Sequence, residues 1–139
     1  AESFANQYIK RDLLFENQSI LPDFRLILLK AEQTNGGGMD GNKSFIESLN
    51  IMLDFIEEVD FDVAILGCGA YGLLLANHIK NLGKQAIHIG GGLQILFGVK
   101  GRRWDEHPEI SAMFNEHWCR PLESEKTRNI EVIEGGTYW

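Results

Sequence analysis

The stretch FDVAILGCGAYGLLLANHIKNLGKQAIHIGGG, residues 61–92, sets an apolar, β-branched run against a glycine turn and then a helical pattern. Val63 to Leu66 predicts a strand, and Gly67-Cys68-Gly69-Ala70-Tyr71-Gly72 has the G-x-G-x-x-G spacing of a dinucleotide-type turn. Glycines let the backbone turn tightly and approach a ligand closely. The helix that follows aims unpaired N–H groups and its positive dipole end at the same point. The combination makes an anion site or, equally, a tight turn whose glycines serve packing alone. A second apolar run, Gln85 to Ile89, ends in Gly90-Gly91-Gly92. Two glycine turns at neighbouring strand ends form a side-chain-free floor of the kind a diphosphate needs, or a place too crowded for Cβ atoms.

The flanking pattern extends this unit. Phe24 to Leu29, FRLILL, is a short apolar run between turn residues and predicts another strand. From Lys43 to Val59 apolar residues recur at helical spacing, predicting a crossover helix. Ala70 to Leu82 predicts the next helix, with Gly83 as its terminator. Strand, helix, strand, helix, strand makes two right-handed βαβ units. The expected fold class is therefore α/β: a Rossmann-like, three-layer domain with a small parallel sheet flanked by helices, and ligands at the carboxyl ends of the strands. Outside this frame, residues 3–18 read as a helix with Phe4, Tyr8, Leu14 and Phe15 facing inward. Residues 33–42 read as a glycine-rich loop, Leu93 to Phe97 as a short helix, and Pro108 to about His117 as another, stopped by Pro121.

Length and charge narrow the partners. A chain of 139 residues fits one domain, here 1–139, and 44% hydrophobic with 24% charged residues is ordinary for a globular protein. No apolar run approaches the ~18–20 residues that span a bilayer. The first residues, AESFANQYIKRD, lack a signal peptide's apolar core and an initiator Met, so the expectation is a portion of a longer protein. A net charge of −7 weighs against nucleic acid. Cys68 and Cys119 give neither metal spacing nor a disulfide framework, which leads us to expect reduced thiols and a cytoplasmic location. A small-molecule partner is expected, and a homo-oligomer is left open.

Within the phosphate class, a dinucleotide fits poorly. Its ribose wants an acid at the end of the next strand, and His88, Ile89 and Gly90 stand there, with no Asp or Glu between Gly67 and Asp105. A Rossmann-type oxidoreductase or methyltransferase is therefore the weakest reading. The ligand-binding candidates are Gly67, Gly69, Tyr71, Gly72, His88, Gly90, Gly91 and Gly92, followed by Lys100, Arg102, Arg103 and Trp104. Guanidinium groups take phosphate oxygens in bidentate fashion, and Trp104 offers a stacking surface. The alternative for the basic group is a solvated loop, and for His88 a core histidine satisfied by backbone. Cys68 sits near a helix N-terminus, a position that lowers thiol pKa and permits a nucleophile, although a small packed residue is simpler. Glu116 and His117 are the acid/base candidates. Asp105, Glu106, His107 and Glu109 either gather a metal or mark an exposed helix start.

The stretch through FGVKGRRW, with the later NEHWCRP and the closing GGTYW, resembles a group of bacterial proteins with a GT-D-like fold, over about residues 20–139. The members include a segment similar to QTNGGG and a Tyr-Trp ending, and they are longer at the N-terminus, so the resemblance implies a C-terminal portion. More distantly the chain is similar to the GT-D glycosyltransferases. That likeness implies a Rossmann-like sheet binding a nucleotide sugar such as UDP-glucose, and a role as a transferase in surface-polysaccharide synthesis. There an Asp-x-Glu motif holding a divalent metal follows the segment similar to LGKQAIHIG. Carried onto this chain it falls at Leu93 and Ile95, which ligate no metal, so the metal-dependent chemistry does not carry over. Two expectations of different class follow: a glycosyltransferase domain binding a nucleotide sugar, with no certain cofactor, and a non-catalytic binding or assembly module.

Overall fold

Ser44 starts the first long helix with a reciprocal cap. Its hydroxyl accepts from the Glu47 N–H at 3.2 Å, and the Glu47 carboxylate accepts from the Ser44 N–H at 2.7 Å. In the computed structural model, which describes residues 1–31, 44–126 and 134–139, this helix is α2, Phe45–Glu58, preceded by α1, Glu2–Ile9. Ser48, Met52 and Ile56 recur every fourth residue and form the buried stripe of α2. Strand β1, Val63–Leu66, then leads through the glycine turn into α3, Tyr71–Asn81, and on to β2, Gln85–His88. Helix α3 ends where Gly83 takes φ +77°, with Gly83 N–H donating to the Lys80 carbonyl and Lys84 N–H to that of Ile79. That is the glycine-ended helix stop the sequence predicts.

β1 and β2 pair in parallel, Val63 opposite Gln85 through Leu66 opposite His88. The α/β class is thus present, as one β–α–β crossover. Residues 29–93 form one compact unit around Met52, Ile56, Tyr71, Leu75 and Ile79. Ala64, Leu66 and Ala86 pack against this core, while the alternating Val63, Ile65 and Ile87 remain 43%, 37% and 50% exposed. Burying each fully would contribute roughly 1.5–3 kcal/mol, so this face is left without much of its apolar stabilisation.

The expected strand at Phe24 to Leu29 is not formed, and with it goes the first of the two expected crossovers. Among the described residues the sheet has two strands. The Tyr8 hydroxyl takes both backbone groups of Phe24, donating to its carbonyl and accepting from its N–H at 2.6 Å, and the two rings meet at 4.8 Å. A side chain of α1, rather than a neighbouring strand, satisfies this backbone. The glycine-rich loop expected at 33–42 lies outside the described residues.

The second unit comprises Ala1–Leu28 and Gln94–Trp139, and it buries Leu14, Leu21, Phe97, Val99 and Trp118. The helix expected over 3–18 stops at Ile9. Lys10 leaves the helical region at φ −113°, and one-turn helices follow at Arg11–Leu13 and Gln18–Ile20. Ser3 and Gln7 are buried there while Phe4 and Tyr8 are only half-buried. Three short helices follow: α4, Gly92–Leu96, α5, Arg102–Asp105, and α6, Pro108–Ser111. The last falls short of His117 because Asn115 folds back, accepting from the His117 N–H and donating to the Leu13 and Leu14 carbonyls.

Candidate functional site

The glycine turns lie wholly in the β–α–β unit, and their glycines divide into two kinds. Gly67 and Gly72 are steric. A Cβ on Gly67 would stand 2.8 Å from the Gly90 carbonyl oxygen and from Leu93 Cδ2, and one on Gly72 would fall inside the His88 imidazole. Gly69 and Gly90 are conformational. They take φ +55° and +54°, and among the described residues a Cβ on either would meet nothing within 4 Å. The two turns are tied to each other at Leu66, whose carbonyl accepts from both Ile89 N–H at 3.0 Å and Gly90 N–H at 3.2 Å.

The backbone donors of the turns are partly committed. Tyr71 N–H goes to the Cys68 carbonyl, Gly72 N–H to Gly69, Gly92 N–H to Ile89 and Leu93 N–H to Gly90. Among the described residues, the N–H groups of Gly69, Ala70 and Gly91 donate to no carbonyl. These three donors accompany the two glycines with open space above them. They suit an acceptor-rich anion, which the dipole of the eleven-residue α3 also favours.

The remaining side chains of this unit take other places. Tyr71 is 5% exposed and stacks on Phe45 at 4.3 Å, so its ring is part of the core. His88 is exposed, with its imidazole against Gly72, and is not the buried histidine of the packing alternative. Burial pushes the Cys68 thiol above its ordinary pKa despite a lowering contribution from its own backbone N–H. The thiolate expected from the helix terminus is therefore disfavoured. Leu93 and Ile95 are half-buried hydrocarbon side chains, and no group of three or more potential metal ligands lies among the described residues. These residues do not fit a divalent ion.

Lys100, Arg102, Arg103, Trp104, Glu116 and His117 all lie in the other unit. The basic segment is not a solvated loop, because it grips the stretch Gly135-Gly136-Thr137-Tyr138-Trp139. The backbone N–H groups of Arg102 and Arg103 donate to the carbonyls of Trp139 and Thr137, at 3.3 and 2.9 Å. The Arg102 guanidinium donates to the Gly135 carbonyl, and that of Arg103 lies 4.6 Å from the Tyr138 ring and 5.1 Å from Trp104. Trp104 Nε1 faces Gln94 Oε1 at 3.4 Å, and Gln94 Nε2 donates to the Tyr138 carbonyl at 2.9 Å. Gly101 keeps the approach open, since a Cβ there would stand 3.0 Å from the Thr137 carbonyl oxygen. Lys100 Nζ lies 5.2 Å from the Phe114 ring centre.

Gln94 and Gly101 are the residues that sequence reasoning missed. The glycine directly before the arginine pair was the available signal for Gly101; Gln94 carried none.

Glu116 is 87% exposed, and its nearest partner is His117 Nε2 at 3.6 Å. Nothing in that pair fixes the carboxylate for proton transfer. Asp105, expected as a metal ligand or helix-start acid, accepts with both carboxylate oxygens from a single nitrogen, Arg120 Nη2, at 2.8 and 2.7 Å. Compared with known proteins, the chain matches no family model, no curated protein and no solved structure.

Proposed function

We propose that the turns at residues 67–72 and 90–92 bind the diphosphate of a nucleotide sugar, in a Rossmann-like, GT-D-like domain. On this reading the chain is a bacterial, cytoplasmic glycosyltransferase domain that takes part in hexosyl transfer during surface-polysaccharide or glycoconjugate synthesis. The observation that carries the reading is the set of uncommitted N–H donors on Gly69, Ala70 and Gly91, beside the open space at Gly69 and Gly90. A diphosphate supplies the acceptors such a floor lacks, and it tolerates the absence of a carboxylate after β2. Lys100, Arg102 and Arg103 form a second anion-binding element, in the other unit.

Titration calorimetry with UDP-glucose tests this directly. The native chain is expected to bind without added Mn²⁺, and Gly69→Val to lose most of the affinity by placing a branched side chain over the floor. Equal binding by the variant would sink the proposal.

One observation favours a second reading, a non-catalytic nucleotide-sugar-binding or assembly module. Among the described residues, Glu116, the candidate base, has only a loose contact with His117. Turnover of UDP-glucose that survives Glu116→Gln with His117→Ala would remove this pair from catalysis. Binding without any turnover would favour the module.

A further inference from the structure

Two cations of the basic segment, Arg102 and Lys100, meet neutral groups of their own unit. The partner of the Arg102 guanidinium is a carbonyl oxygen, that of Gly135, and the Lys100 ammonium lies near a ring, that of Phe114. Neither cation pairs with a carboxylate among the described residues, in a chain with 20 acids and 13 bases. A guanidinium bonds a charged oxygen roughly twice as strongly as a neutral one. The carbonyl is therefore a poor competitor for Arg102 once a phosphate oxygen is available. The docked stretch also leaves Thr137 Oγ1 buried and without a partner among the described residues, which costs stability. Two consecutive glycines at φ +63° and +74° let the backbone turn into this position.

We infer that Gly135–Trp139 is a displaceable strap: its carbonyls occupy donors of Arg102 and Arg103 in the resting chain, and it yields them to an anion of the diphosphate class. This rests on reading the basic segment as an anion-binding element. The strap holds the element closed to weak anions such as chloride, and a bidentate diphosphate displaces it. The same contacts make glycine the tightest fit at position 101, where a Cβ would press on the Thr137 and Tyr138 carbonyls of the strap.

Calorimetry with inorganic pyrophosphate at low ionic strength tests this on the full chain and on two strap variants. Tyr138→Ala removes the ring beside Arg103, and Gly135→Ala with Gly136→Ala strains the two left-handed positions. Both leave every cation in place. Each is expected to bind pyrophosphate about three- to tenfold more tightly, because the apparent affinity of the native chain is lowered by the fraction held closed. Adding Arg102→Ala to either should abolish the gain. In hydrogen exchange, pyrophosphate should speed exchange in peptides covering residues 135–139 of the native chain.

Unchanged or weaker binding by both strap variants, with the native chain still binding, overturns the strap and leaves the anion reading intact. No pyrophosphate binding by any of the chains overturns the anion reading, and the strap with it.

Discussion

The glycine turns of residues 67–72 and 90–92 and the basic segment of residues 100–104 both suit phosphate, by opposite constructions. The turns offer backbone N–H groups that donate to no carbonyl among the described residues, beside glycines with open space over them. The basic segment offers side-chain cations that are already engaged, with a carbonyl and with aromatic rings of the same unit. A backbone site is preorganised and binds as it stands. A side-chain site that holds part of its own chain must first let go. The lesson is that charge in a sequence marks capacity to bind an anion, whereas availability depends on what the fold has already placed there.

The contrast breaks most sharply at Gly67. Gly67→Ala would force a Cβ onto the Gly90 backbone and Leu93, so it should destabilise by about 1–3 kcal/mol, seen as a lower melting temperature. Gly72→Ala should cost less despite the closer approach, because the exposed His88 imidazole can swing aside. Equal losses at both positions would mean that His88 is held in place. At Gly69 the penalty is conformational, about 1–2 kcal/mol for Gly69→Ala, since the side chain itself meets open space. A melting temperature unchanged by this variant would argue that the turn adopts another backbone path.

Much of the β–α–β unit was legible because its signals are local. The helical spacing that includes Met52 and Ile56, and the Gly83 terminator, each act within one or two turns of helix. The strand expected at FRLILL was not, because a strand needs a partner, and Tyr8 is 16 residues away from the Phe24 groups it captures. At the site, the spacing of the glycines was visible but not their division of labour. Gly67 and Gly72 owe their identity to Leu93 and His88, which only the fold brings near. Likewise, no local pattern tells that Arg102 meets a carbonyl 33 residues on.

Smaller effects separate the two units. Arg102→Ala with Arg103→Ala should weaken UDP-glucose binding if the basic segment contributes to it, while leaving the melting temperature within a few degrees. Unchanged affinity in calorimetry would remove the segment from the ligand's reach. Acid should act first on the unit of residues 1–28 and 94–139. Burial raises the Glu125 pKa, but bonds from the chain's amino group, the Ser3 hydroxyl and N–H and the Leu122 N–H outweigh it, holding the carboxyl at about 2. The unfolded chain therefore takes up this proton first, and the stabilisation is complete above the ordinary value near 4.5 and lost as pH falls toward about 2. Glu125→Gln should flatten stability over that window, as followed by the fluorescence of the three tryptophans, all in this unit, and an unaltered acid profile would show that the carboxylate adds nothing.

The floor of free backbone donors can be watched directly. In a titration of ¹⁵N-labelled protein with UDP-glucose, the amide signals of Gly69, Ala70 and Gly91 should shift most and saturate together. Signals that stay in place there while UDP-glucose binds elsewhere, or does not bind, would contradict the account.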